Sequence, residues 1–185
     1  MTTRCILQMA FLLCVSTKAL SKSLNLLQFQ QRQSTLACQK LLQTLNGTPE
    51  ACLEDRMNFK VPKELEQPQP FQKEGAALVI YEMLQQMFGI FRRNVSHTGW
   101  NETIVENLLV EFYQQMDRME PILEENTEKE STGLGNMVNI LHLKSYYFRI
   151  NRYLRAKAYS SCAWTVVRME LLRNLAFISR LTDYL

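Results

Sequence analysis

Glycine and proline are scarce, six Gly and five Pro among 185 residues, where average usage of about 7% and 5% gives roughly 22 together. So few turn formers exclude a sandwich or barrel of many short strands. An excess of one charge is also missing, with 21 Lys+Arg against 18 Asp+Glu. A field that close to balance is not that of a nucleic-acid binder. Histidine occurs only at His97 and His142, too seldom to build a His-rich metal cage from one chain. The six glycines stand singly, which leaves no phosphate-cradling loop, dinucleotide fingerprint or nucleophile elbow. Glu124, Glu125, Glu128 and Glu130 cluster on one turn, and such a cluster reads as a solvated face. No catalytic, cofactor-binding or metal-binding residues are expected. The opening apolar run, Cys5 to Val15, spans eleven residues, short of the ~20 that a membrane-crossing helix needs.

That run does fit a leader. Met1 to Arg4 is a positively charged start, and Ala19 and Ser21 place small side chains two apart after the apolar stretch, the layout of a secretory signal. Cleavage after Ser21 is expected to leave 22–185 as a single domain, secreted and not inserted in a membrane. Cys5 and Cys14 would leave with the signal, and Cys38, Cys52 and Cys162 would enter an oxidising compartment. Cys38 falls in an apolar helical stripe, where a thiol behaves as a small buried hydrophobe, while Cys52 and Cys162 lie in or beside connections. The expected bridge is therefore Cys52 to Cys162, with Cys38 a free thiol. Asn46-Gly47-Thr48, Asn94-Val95-Ser96 and Asn101-Glu102-Thr103 match the N-glycosylation pattern, which requires surface sites on an exported chain.

Apolar residues recur at intervals of three and four in five segments, the period of an amphipathic helix. The first stripe is Leu24, Leu27, Gln31, Ser34, Cys38, Leu41 and Leu45, ended by Asn46-Gly47. Ala77, Ile80, Leu84, Met87 and Phe91 make the second, and Val105, Leu108, Phe112, Gln115 and Met119 the third. Met137, Ile140, Leu143, Tyr147, Ile150 and Leu154 follow, then Trp164, Val167, Leu171, Leu175 and Ile178. Pro121 removes a helical donor and predicts a kink or an early stop.

Asn46 to Phe71 is long enough, with four prolines, to run the length of a helix and let two neighbours lie parallel, whereas the later links are short and give antiparallel neighbours. The expected fold is all-α, five helices with four in an up-up-down-down bundle of the helical cytokine kind. Lys144, Arg149, Arg152, Arg155 and Lys157 concentrate on the fourth helix among Tyr146, Phe148 and Tyr153. With the Glu-rich turn offsetting their charge, a protein partner fits them better than nucleic acid.

Cys38-Gln39-Lys40-Leu41-Leu42, Asp55-Arg56-Met57-Asn58-Phe59, Thr98 to Leu109 (TGWNETIVENLL) and Cys162-Ala163-Trp164-Thr165-Val166-Val167-Arg168 resemble, in register, the type I interferon family. The likeness covers essentially the whole chain. It implies a secreted, monomeric cytokine that brings together the two chains of the type I interferon receptor and triggers JAK-STAT signalling, with antiviral, antiproliferative and immunomodulatory outcomes. The family's disulfide falls on Cys52 and Cys162. Carried over by motif, the high-affinity receptor chain would meet Leu53, Arg56, Arg168, Leu172 and Arg173. The second chain would meet Phe88, Arg92, Leu109, Tyr113, Asp117 and Lys144 on the opposite face. Pro121 inside the third helix, the sequons at Asn46 and Asn94, and the absence of a basic tail at Leu185 depart from the family pattern. The rival readings are another secreted four-helix cytokine and a helical ligand carrier, the latter requiring a ligand-sized void inside the bundle.

Overall fold

The computed structural model describes residues 25–66, 71–94, 98–127 and 134–185, without the side chains of 93, 94, 125–127, 134 and 136. The 1–21 leader, the Asn94 side chain with the rest of its sequon, His97, the Glu125 side chain, Glu128 and Glu130 lie outside the described residues. Helix α1 covers residues 25–44. It is followed by a 3-10 helix, Pro49–Asp55, and by the single turn α2, Lys63–Glu66. Then come α3, Lys73–Asn94; α4, Glu102–Thr127; α5, Leu134–Ala156; and α6, Ser161–Leu181. A 3-10 turn, Thr182–Tyr184, closes the chain. Among the described residues the fold is the expected all-α helical cytokine architecture.

The stripes become the core. Trp164, Val167, Leu171, Leu175 and Ile178 of α6 are fully buried, as are Ala77, Ile80, Leu84 and Met87 of α3 and Leu108, Phe112 and Met119 of α4. Each large side chain removed from water contributes about 1.5 to 3 kcal/mol. Phe91 lies 6.1 Å from both Trp100 and Trp164, which are 5.4 Å from each other, so the α3–α4 link is pinned over the start of α6 by tilted and edge-on ring contacts. Met137 departs from its stripe and is exposed, because α5 is half-covered at Ile140 and fully covered only from Leu143 onward. The early stop at Pro121 does not occur: α4 runs on to Thr127. Met119 and Ile122 on either side are buried, and their burial offsets the loss of roughly 3 kcal/mol that an interior proline brings.

The polar members of two stripes meet. Gln31 Nε2 donates to Gln115 Oε1 at 2.7 Å, Thr35 Oγ1 donates to the same oxygen at 3.1 Å, and Gln115 Nε2 reaches Cys38 Sγ at 3.2 Å. These bonds, with Arg118 to Ser34 at 2.7 Å, join α1 to α4 and set their register, since a buried polar group without a partner is costly.

Cys38 is the free cysteine among the described residues and is buried. Burial, followed by the nearby Glu111 carboxylate, pushes its thiol from the ordinary 9.0 up to about 12. In the unfolded chain the thiol ionises near 9.0 and in the folded chain near 12, so folding stability holds below pH 9.0 and declines as pH rises across that window. For the chain without residues 1–21, the expected result at pH 8 is no reaction of Cys38 with a disulfide-exchange reagent in native buffer and one thiol titrated in guanidinium. Prompt native-state labelling would show the site to be open.

Candidate functional site

The stretch between α1 and α3 is strapped along α6. Cys52 and Cys162 form a disulfide with Cα atoms 5.2 Å apart, which fixes the 3-10 helix against the first turn of α6. Further on, Tyr153 Oη donates to the Asp55 carbonyl at 2.7 Å, Lys157 pairs with Asp55 at 2.8 Å, and Arg149 donates to the carbonyls of Phe59 and Lys60, each at 2.9 Å. Burial and the neighbouring Asp55 raise the Tyr153 phenol to about 12, so it stays a hydrogen-bond donor at physiological pH. Arg173 pairs with Glu66 at 2.8 Å, and Arg180 donates to the Leu65 carbonyl at 2.9 Å. Of the basic cluster, Arg149 and Lys157 therefore hold this strap.

Strap and helix leave an open groove of about 540 Å³ between them, lined by Pro49, Glu50, Leu53, Arg56, Met57, Val166, Met169 and Arg173 among others. Leu53 is 56% exposed, and Met57 and Met169 are also exposed. Of the residues that the sequence assigns to the first receptor chain, the groove gathers Leu53, Arg56 and Arg173, with the half-buried Leu172 beside Arg173. Arg168 is placed differently, at 5% exposure. Its Nη1 donates to the Leu45 carbonyl and its Nη2 to the Gly47 carbonyl at 2.6 Å. Burial lowers its pKa, and its hydrogen bonds are spent on the end of α1, not on an outside partner. Sequence reading missed Val166 and Met169, although both share a helical face with Arg173 at intervals of three and four.

A second open groove, of about 760 Å³, is built from other elements. Tyr81, Gln85, Gln86, Phe88, Gly89 and Arg92 of α3 face Tyr113, Met116 and Glu120 of α4, with Asn151 of α5 completing the lining. Phe88, Arg92 and Tyr113 are brought together here. Asp117 is exposed one turn beyond Tyr113, Leu109 is half-buried one turn before it, and neither lines the groove. Lys144 is exposed on α5 and reaches Glu82 at 3.7 Å.

His142 Nδ1 lies 2.8 Å from Glu64 Oε1, linking α5 to α2. Among the described residues, no group of three or more His, Cys, Asp or Glu side chains is placed to hold a metal ion. No described helix is long and apolar enough to cross a membrane. Asn46 and Asn101 are exposed, as glycan acceptors must be. The Asn46 carbonyl accepts from Trp100 Nε1 at 2.8 Å, so these two sequons sit at one end of the bundle.

A family model for the interferon alpha/beta domain matches residues 27–185. The chain belongs to the interferon alpha/beta family. It is a cytokine, not an enzyme. This interferon is 62% identical to interferon beta of Macaca fascicularis, 60% to that of Homo sapiens and 63% to that of Equus caballus, in each case over 100% of this chain and 99% of the relative. Among solved structures, zebrafish interferon 2 superposes with a TM-score of 0.70 at 28% identity, covering 80% of this chain and 97% of the other. The family separates the readings that the sequence left open: neither an unrelated helical cytokine nor a ligand carrier accounts for full-length identity at this level. The space between the helices is filled by Trp164, Phe91, Phe112 and their neighbours.

Proposed function

We propose that this interferon is exported after loss of residues 1–21 and brings together the two chains of the type I interferon receptor, acting as a monomer through receptor-associated Janus kinases and STAT factors. Antiviral, antiproliferative and immunomodulatory responses follow. One observation carries the reading: two separate grooves, built from different helices, each collect part of one predicted contact set. Leu53, Arg56, Leu172 and Arg173 meet the high-affinity chain, with Arg168 beneath them as a positioning residue. Phe88, Arg92, Leu109, Tyr113, Asp117 and Lys144 meet the second chain. Once the first contact forms on a cell, the second becomes a two-dimensional encounter at high effective concentration, so a weaker face suffices.

STAT phosphorylation in cells lacking either receptor chain tests this. The expected result is loss of signal in both knockouts, and persistence in both would defeat the reading. Arg56 is exposed at the groove, and its guanidinium has no partner among the described residues. Arg56→Ala is therefore expected to weaken binding to the isolated high-affinity chain by about 1 to 3 kcal/mol while leaving the unfolding curve unchanged. Surface plasmon resonance beside a urea melt checks both halves, and unaltered affinity would remove Arg56 from the interface.

A further inference from the structure

Gly89 occupies the interior of α3, where glycine is a poorer helix former than alanine. Two physical reasons commonly keep a glycine in such a place, and neither applies. Its φ is not positive, unlike those of Gly47 and Gly99. Beyond its own helix backbone and chain neighbours, no atom lies within 4 Å of where a Cβ would stand. Gly47 shows the contrast, because its φ is +121° and a Cβ there would run into the Thr165 hydroxyl. What lies over Gly89 is the second groove, with Phe88 beside it and Tyr113 and Met116 across from it.

We infer that Gly89 sets the depth of this groove, leaving bare backbone as a floor so that one bulky apolar side chain of the second receptor chain can enter. This rests on the proposed second receptor face and adds a specificity-determining residue to it. The occupant is apolar where it meets Phe88, Met116 and the Tyr113 ring over Gly89, with Gln85, Gln86 and Asn151 at the margins, while Arg92 and Glu120 carry opposite charges and leave no net field to recruit an ion. Helix stability is given up at Gly89 for room at the interface, so stability and binding should respond to a side chain there with opposite signs.

Gly89→Ala and Gly89→Leu test it against each isolated receptor chain, with Arg92→Ala and Tyr113→Ala at the rim of the same groove as references. The expected result is that Gly89→Leu weakens the second chain about tenfold or more and Gly89→Ala about two- to fivefold. Affinity for the high-affinity chain should be unchanged, and Tm should rise by about 2 °C. If the two rim variants lose affinity while both Gly89 variants bind the second chain like the parent, the depth assignment is overturned and the face survives. If the rim variants also bind normally, the face itself is misplaced and the inference falls with it. A drop in Tm for both Gly89 variants would show that glycine serves the fold, which also overturns it.

Discussion

Replacing Arg168 with alanine is expected to lower folding stability by about 3 to 5 kcal/mol, far more than any other arginine in the α6 face. The reason lies at the end of α1. A helix leaves its last carbonyls without intrahelical partners, and here the Leu45 carbonyl, together with that of Gly47, is satisfied by the two ends of one buried guanidinium. Truncation leaves the buried Leu45 oxygen unpaired, at about 1 to 3 kcal/mol, deprives the part-buried Gly47 oxygen of its charged donor, and opens a void beneath the strap. Arg168→Lys should recover only part of the loss, because an ammonium lacks the planar fork that spans both acceptors. Urea melts followed by tryptophan fluorescence read the effect directly, since Trp100 and Trp164 are both buried. A loss under about 1 kcal/mol would mean that water enters and satisfies the carbonyls. Affinity for the high-affinity receptor chain should also fall, but through a displaced strap, so a shifted melt accompanies it. Arg56→Ala gives the opposite pairing of readouts.

The second large effect is expected from Cys52→Ser combined with Cys162→Ser. The bridge closes a loop of 110 residues, and the chain-entropy model gives it about 4 to 5 kcal/mol. The double variant should still fold, because Arg168, Tyr153 and Arg149 continue to hold strap carbonyls. Its denaturation midpoint should drop, and amide exchange should accelerate in residues 51–60 before it does in α3 or α6. An unchanged midpoint would show that these hydrogen bonds alone hold the strap.

Most of the architecture was legible in the linear pattern. The stripes of α3, α4 and α6 landed on buried positions almost residue for residue, because a period of 3.6 leaves one face for the core. The disulfide pair was legible for the same reason: Cys38 belonged to a stripe and the other two did not. Met137 was not read correctly, and of the two outcomes expected at Pro121 the early stop does not occur. A local rule cannot weigh a missing hydrogen bond against burial contributed by distant helices, nor tell where along its length a helix stops being covered.

Sequence by itself determined the helices, the bridge and the family resemblance, since each depends on residue identity and spacing along the chain. Only the tertiary structure decided that Arg168 serves the end of α1, that Gln31 donates to Gln115, and that Leu53, Arg56 and Arg173 share one groove while Phe88, Arg92 and Tyr113 share another. Those pairings join residues from 84 to more than 120 positions apart in several cases, and no periodicity carries information over such a span. Packing supplies it, by choosing which faces meet and which polar atoms must find partners once water is gone.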